Sequence, residues 1–189
     1  MDTAEIFNHV RKTTMAEIED AIGKIDAKMA AELVSEILRS RKVFCVGVGR
    51  VMLALQAFTK RLAHLGIDAH FVGEITEPAI KLGDLLIVGS GSGESLFPLT
   101  IAKKAKSLGV NIAHIGSNPN GSMAQYSDIM IRIPVRTKLA LADEVNSEQP
   151  MTSLFEQSLL VLGDIIAQVI IKEKGLDMRS LWLFHANLE

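Results

Sequence analysis

The stretch Gly89-Ser90-Gly91-Ser92-Gly93-Glu94-Ser95 combines small residues, hydroxyls and a helix-starting position within seven residues. Glycines let a backbone approach a ligand closely, and serine hydroxyls can donate to an anion. Free N–H groups at a helix N-terminus complete a cradle of the kind that binds phosphate. The bland alternative is a glycine-rich turn capped by serine. Neither of the stronger nucleotide motifs is present. A P-loop requires Gly-Lys-Ser/Thr, which occurs nowhere in the chain, and the Gly-x-Gly-x-x-Gly fingerprint fails at Met52 after Gly47 and Gly49 and at Glu94 after Gly89 and Gly91. A small phosphorylated ligand fits this loop better than a nucleotide.

Other chemistry-bearing side chains are few. Glu156 stands in Met151-Thr152-Ser153-Leu154-Phe155-Glu156-Gln157, where Ser153 and Glu156 have the spacing of a helix capping box. From spacing alone the cap is the better reading; a buried carboxylate acting as a base is the sharper one. His185 lies in an apolar-flanked tail, Leu183-Phe184-His185-Ala186, and taken alone reads as a packed tail residue. Arg50, after Gly47-Val48-Gly49, suits either a phosphate contact or a surface position opening a helix. His64 and His70 have no metal-ligand spacing with cysteine or acid, so no metal site is expected. Met151, Phe155 and the Leu159-Leu160-Val161 run read as core.

These residues need a scaffold, and the hydrophobic pattern supplies one. Two helical stretches meeting near Ile25-Asp26 fill the first forty residues. Short apolar runs at Val43 to Val46, Ala69 to Val72, Leu85 to Val88, Asn111 to Ile115 and Ile129 to Ile133 read as strands. Helical stretches at Val51 to Leu65 and Leu96 to Leu108 stop at Gly66 and Gly109. Asn118-Pro119-Asn120-Gly121 reads as a turn, Pro134 to Pro150 as a loop, and Ser153 to Lys174 as a long amphipathic helix, followed by a short helix and an ordered end. Strands alternating with helices predict a three-layer αβα, doubly wound sheet of about five parallel strands. In such sheets ligands bind at the carboxyl ends of the strands, where Gly47–Arg50 and the Gly/Ser loop both fall.

The bulk numbers agree with a single domain over residues 1–189: helices over about 2–41, a sheet core over about 43–133 and a C-terminal helix and tail over about 150–189. The chain is 48% hydrophobic with a net charge of -2, which gives no global basic field for nucleic acid. A single cysteine, Cys45, excludes an internal disulfide and a cysteine zinc cluster. The first twenty residues lack a signal-peptide apolar stretch, and Leu159 to Ile171 is interrupted by Gly163, Asp164 and Gln168. The expectation is a soluble, cytoplasmic protein without a membrane span.

As a group, several segments are familiar. Gly47-Val48-Gly49-Arg50, Phe71-Val72-Gly73-Glu74 with Pro78, Gly89 to Ser95, Gln149 to Gln157 and the terminal His185-Ala186-Asn187-Leu188-Glu189 resemble the SIS (sugar isomerase) domain along essentially the whole chain. Within it they resemble the 6-phospho-3-hexuloisomerase family. The serine-glycine loop is shared by SIS domains generally, whereas the Pro-Met-x-x-x-Phe-Glu segment and the His-Ala-Asn-Leu-Glu ending are more specific. The resemblance implies a flavodoxin-like SIS fold and interconversion of 3-hexulose 6-phosphate and fructose 6-phosphate, the second step of ribulose monophosphate formaldehyde fixation. It implies Glu156 as the base of a cis-enediol mechanism and His185 in ring opening or proton movement between oxygens. It places Gly49, Arg50, Ser90, Gly91, Ser92, Gly93, Glu94 and Ser95 on the substrate, with no cofactor and no metal. SIS proteins tend to be homo-oligomers, so a dimer or tetramer is expected, formed through the apolar N-terminal helices and the long C-terminal one.

One departure stands out. The family usually reads Gly-Arg-Ser-Gly after the first strand, with the serine contacting substrate; here the residues are Gly49-Arg50-Val51-Met52. Val51 cannot donate a hydrogen bond. This favours two alternatives: an isomerase for a different phosphosugar, or a non-catalytic SIS module that senses one.

Overall fold

The computed structural model describes residues 2–137 and 141–188; part of the Pro134 to Pro150 loop and the terminal Glu189 lie outside the described residues. Helix α1 (Thr3–Gly23) opens with a reciprocal capping box between Asp2 and Glu5. After a break at Asp26, which caps the next helix through Lys28 N, α2 (Ala27–Arg39) follows. Strand β1 (Val43–Val46), α3 (Gly49–His64), β2 (Ala69–Phe71), β3 (Leu85–Gly89), α4 (Leu96–Ser107), β4 (Asn111–Gly116) and β5 (Ile129–Arg132) build the sheet layer, and α5 (Ser153–Lys174) runs behind it. Short 3-10 turns occupy Ser122–Gln125 and Ser180–Phe184.

The five strands are all parallel, in the order β2-β1-β3-β4-β5. This is the flavodoxin-like winding, and its order reverses between β1 and β3. Side chains of β1 alternate between two cores. Val43 and Cys45 face α2, α3 and α5, while Phe44 and Val46 face α4 and the Ser122–Gln125 turn. Both faces are therefore covered, as a parallel sheet of continuous apolar strands requires.

Two sequence expectations change here. Met151 is solvent-exposed and holds a left-handed backbone, φ 54°, so it is not core. In the Leu159-Leu160-Val161 run only Leu159 is buried; Leu160 and Val161 lie on the outer face of α5 with Ile165 and Val169. Helix α5 is long and apolar enough to cross a membrane, but half of its most apolar window is buried inside the domain, which is the behaviour of a core helix. The exposed Ile6, Phe7, Val10 and Met15 of α1 form a second apolar surface.

Candidate active site

The switch between β1 and β3 brings three chain segments together. Arg50, in the first turn of α3, donates its Nε–H to Oε2 of Glu156, in the first turn of α5. The other carboxylate oxygen accepts from the Thr152 hydroxyl at 2.8 Å. Next to Glu156, the buried Phe155 ring packs on the Gly/Ser loop: a Cβ on Gly91 would lie 3.6 Å from Phe155 Cδ1. Val51 reaches the same loop from α3, its Cγ1 being 2.8 Å from where a Gly89 Cβ would sit. Glu156, Arg50, Val51 and the loop thus share one end of the sheet.

The capping-box reading of Glu156 does not hold. Thr152 is the N-cap and makes no side-chain cap bond, so Ser153 is already the first helical residue. Glu156 is then one position too late to reach back to the cap N–H. Its carboxylate instead faces Arg50 and Thr152, with only 11% of the side chain exposed.

Within the loop, Ser90 is buried and donates its hydroxyl to Ser95 Oγ at 3.2 Å. Ser95 is the N-cap of α4 and makes no side-chain cap bond of its own. Ser92 Oγ accepts from Glu94 N at 3.1 Å. Gly93 takes φ +70°, a conformation that side chains rarely adopt. The Glu94 carboxylate accepts from Ser122 N at 2.6 Å, and hydrogen bonds to the Ser122 side chain and then its backbone hold the Glu94 pKa below the ordinary carboxylate value. It therefore braces the loop against the Ser122–Gln125 turn. Sequence reasoning missed Thr152, and also His114 and Asn118, which bond to the loop from behind: Nε2 of His114 lies 2.8 Å from Ser90 O, and Asn118 Nδ2 donates to Ser92 O at 3.1 Å. An asparagine in a turn and a histidine in an apolar strand carry no pattern that would single them out.

His185 is elsewhere. Its ring stacks on His64 with centroids 5.0 Å apart and lies beside Trp182. Arg50 and His64 stand at opposite ends of α3, 14 positions apart, or about 21 Å along the axis. The structure does not bring His185 to the Glu156 of its own chain. It lines instead an open cavity of about 650 Å³ with Arg61, His64, Asp164, Gln168 and Trp182.

Residues 36–163 match the SIS domain family. The 3-hexulose-6-phosphate isomerase of Bacillus subtilis (strain 168) is 40% identical over 173 residues, covering 92% of this chain and 94% of that protein. The chain belongs to the SIS-domain family, among the 3-hexulose-6-phosphate isomerases. The Mycobacterium gastri enzyme of the same name is 36% identical, with 92% and 86% covered. A crystal structure of a hypothetical protein from Methanococcus jannaschii, from which a 3-hexulose-6-phosphate isomerase function was inferred, superposes with a TM-score of 0.80. It has 31% identity over 94% of this chain and 98% of that one. In this SIS-domain chain, Glu156 and the Gly/Ser loop therefore sit together in a sugar-phosphate isomerase fold.

Proposed function

We propose that this protein converts 3-hexulose 6-phosphate to fructose 6-phosphate, with Glu156 as the base. The observation that carries this reading is that Glu156 pairs with Arg50 while its chain neighbour Phe155 packs on Gly91 of the Gly/Ser loop. The loop's N–H groups, with the hydroxyls of Ser90, Ser92 and Ser95, take the phosphate, and Arg50 adds a charged donor. Glu94 acts as the loop's brace. With the phosphate anchored, the sugar chain extends to Glu156. The carboxylate removes the proton from C2 of the 3-ketose, and the electron pair forms the 2,3-enediol as the C3 oxygen gains a proton. The enediol collapses as the C2 hydroxyl loses its proton and Glu156 returns one to C3, leaving the carbonyl at C2. No electrons leave the substrate, so the reaction calls for no redox cofactor.

His185 enters this scheme through a second copy of the chain. It stands at the far end of α3 from Glu156, among exposed apolar residues that include Met178, Trp182, Leu183 and Leu188. The outer faces of α1 and α5 add further apolar surface of the kind that homo-oligomers bury. A dimer or tetramer that docks these surfaces would bring the His64–His185 cavity of one subunit to the Glu156 of another, where imidazole can assist ring opening or proton movement between oxygens. The reading places the enzyme in the cytoplasm, in the ribulose monophosphate route. Val51 supports a second reading, an isomerase of the same mechanism on another phosphosugar, since it presents a methyl group where the family resemblance leads one to expect a serine hydroxyl. Turnover of 3-hexulose 6-phosphate, read as fructose 6-phosphate and set beside pentulose and heptulose phosphates, decides between them. Preference for the hexulose supports the first reading, and preference for another chain length supports the second.

A further inference from the structure

Hydrogen bonds from β4 and the segment after it hold the backbone of the Gly/Ser loop. Ser90 N donates to Ile115 O at 3.1 Å, continuing the β3–β4 ladder, and Ser90 O receives Nε2 of His114 and Gly93 N. Gly91 O accepts from Ser117 N and Asn118 N at 2.9 and 3.0 Å, Ser92 O from Asn118 Nδ2, and Gly93 O from Met123 N at 3.0 Å. Four successive carbonyls are thus engaged by β4 and the segment after it. In a trans peptide the N–H points opposite to the preceding carbonyl, so the N–H groups of Gly91 and Ser92 point to the other side of the loop. A carbonyl turned the other way would meet a phosphate with its negative end.

We propose that His114 is a positioning residue for the phosphate loop: by donating Nε2–H to Ser90 O it fixes the first of these peptides and aims the N–H groups that follow at the anion. This rests on the reading of the loop as the phosphate cradle. The donor assignment follows from chemistry, because a carbonyl oxygen can only accept. The imidazole is 1% exposed, and burial pushes its pKa below the ordinary histidine value despite the Ser90 bond, so it donates as neutral imidazole. Space for the contact is reserved in the sequence. A Cβ on Gly116 would lie 2.4 Å from His114 Nε2 and 2.5 Å from Ser90 O, and one on Gly121 would lie 2.6 Å from Ser92 O. Both glycines stand where any side chain would push the clasp apart.

The test compares His114→Leu, which removes the donor, with His114→Gln, which can restore it, and with Ser92→Ala inside the loop. For each, KM and kcat for 3-hexulose 6-phosphate, inhibition by inorganic phosphate and thermal unfolding are measured on the intact protein. The expected result is that His114→Leu raises KM and the phosphate inhibition constant together, by about tenfold, with kcat changed less than threefold, and that His114→Gln recovers most of the loss. Should His114→Leu fail to fold, Gly116→Ala is expected to give the same paired rise. Unchanged KM and phosphate inhibition in a folded His114→Leu or Gly116→Ala protein, while Ser92→Ala weakens both, would overturn the role of His114 and leave the cradle standing. No effect of Ser92→Ala on phosphate inhibition would overturn the cradle itself, and the inference with it.

Discussion

Arg50 and Glu156, 106 residues apart in sequence, form an ion pair between the first turns of α3 and α5. The pair sets the candidate base beside a guanidinium in the helix that follows β1. The arginine is 64% exposed while the glutamate is nearly covered, so the guanidinium can exchange partners with an arriving phosphate. Its remaining N–H groups suit bidentate contact with that group.

Replacing Arg50 by alanine is expected to raise KM for the sugar phosphate by about tenfold or more, the scale of a lost charged hydrogen bond. It should lower kcat as well, because Glu156 loses one of its two orienting contacts. Arg50→Lys keeps the charge but not the planar fork, and should recover KM only in part. Steady-state kinetics of the two variants check this.

Val51 packs against Gly89 at the mouth of the loop. Restoring a hydroxyl with Val51→Ser should lower KM for 3-hexulose 6-phosphate by roughly fivefold, about 1 kcal/mol. A larger gain on a different phosphosugar would identify that sugar as the better fit. Side-by-side kcat/KM values on hexulose and pentulose phosphates provide the comparison.

Glu17 on α1 accepts from Ser147 Oγ at 2.6 Å, Glu148 N at 2.8 Å and Gln149 Nε2 at 2.9 Å, anchoring the segment that leads into α5. Burial on its own would raise the Glu17 pKa, but these bonds outweigh it and hold the pKa below the ordinary 4.5. A lowered folded pKa gives stability that is full above 4.5 and is lost as the pH falls through the folded value. Glu17→Gln should therefore lower Tm by a few degrees at neutral pH, with the gap to wild type closing under acid. Thermal unfolding between neutral and acid pH measures it.

Cys45 is fully buried in β1, and burial pushes its thiol up to about 12, well past the opposing contact from Thr59. Thiol reagents at mildly alkaline pH should leave the native protein unlabelled and react only after denaturation. Mass spectrometry of the treated protein reads the outcome.

If His185 serves a neighbouring subunit, two inactive variants can rescue each other. Unfolding and refolding Glu156→Gln together with His185→Ala should regenerate activity above that of either alone, since some mixed sites receive both native residues. Activity no higher than the sum of the two parents would place His185 outside the neighbouring subunit's site.

The fold was readable because β1 to β4 are short runs, mostly apolar, that close on a glycine, and a parallel sheet buried on both faces writes itself that way. Residue type and spacing singled out the Gly/Ser loop as a candidate site, while they left Arg50 open between a phosphate contact and a surface position; the structure sets both at the strand ends where α3 and α4 begin. Glu156 shows the limit: spacing favoured a capping box, and only the helix start at Ser153 and a partner 106 positions away reveal its surroundings. His114 and Asn118 were illegible for the same reason, since their partners are backbone carbonyls of another loop, which leave no trace in residue type. Leu160 and Val161 misled because periodicity records an apolar face without saying what covers it.

The central claim is that Glu156 carries the proton in a sugar-phosphate isomerisation. It is tested most directly by incubating the wild type and Glu156→Gln with 3-hexulose 6-phosphate in D2O and following fructose 6-phosphate and its C3 deuterium by NMR. The account predicts turnover with deuterium appearing at C3 in the wild type. In the variant, both should fall by about 100-fold or more, while phosphosugar binding persists. Wild-type turnover matched by the variant, or tight sugar-phosphate binding with no turnover by the wild type, would contradict it.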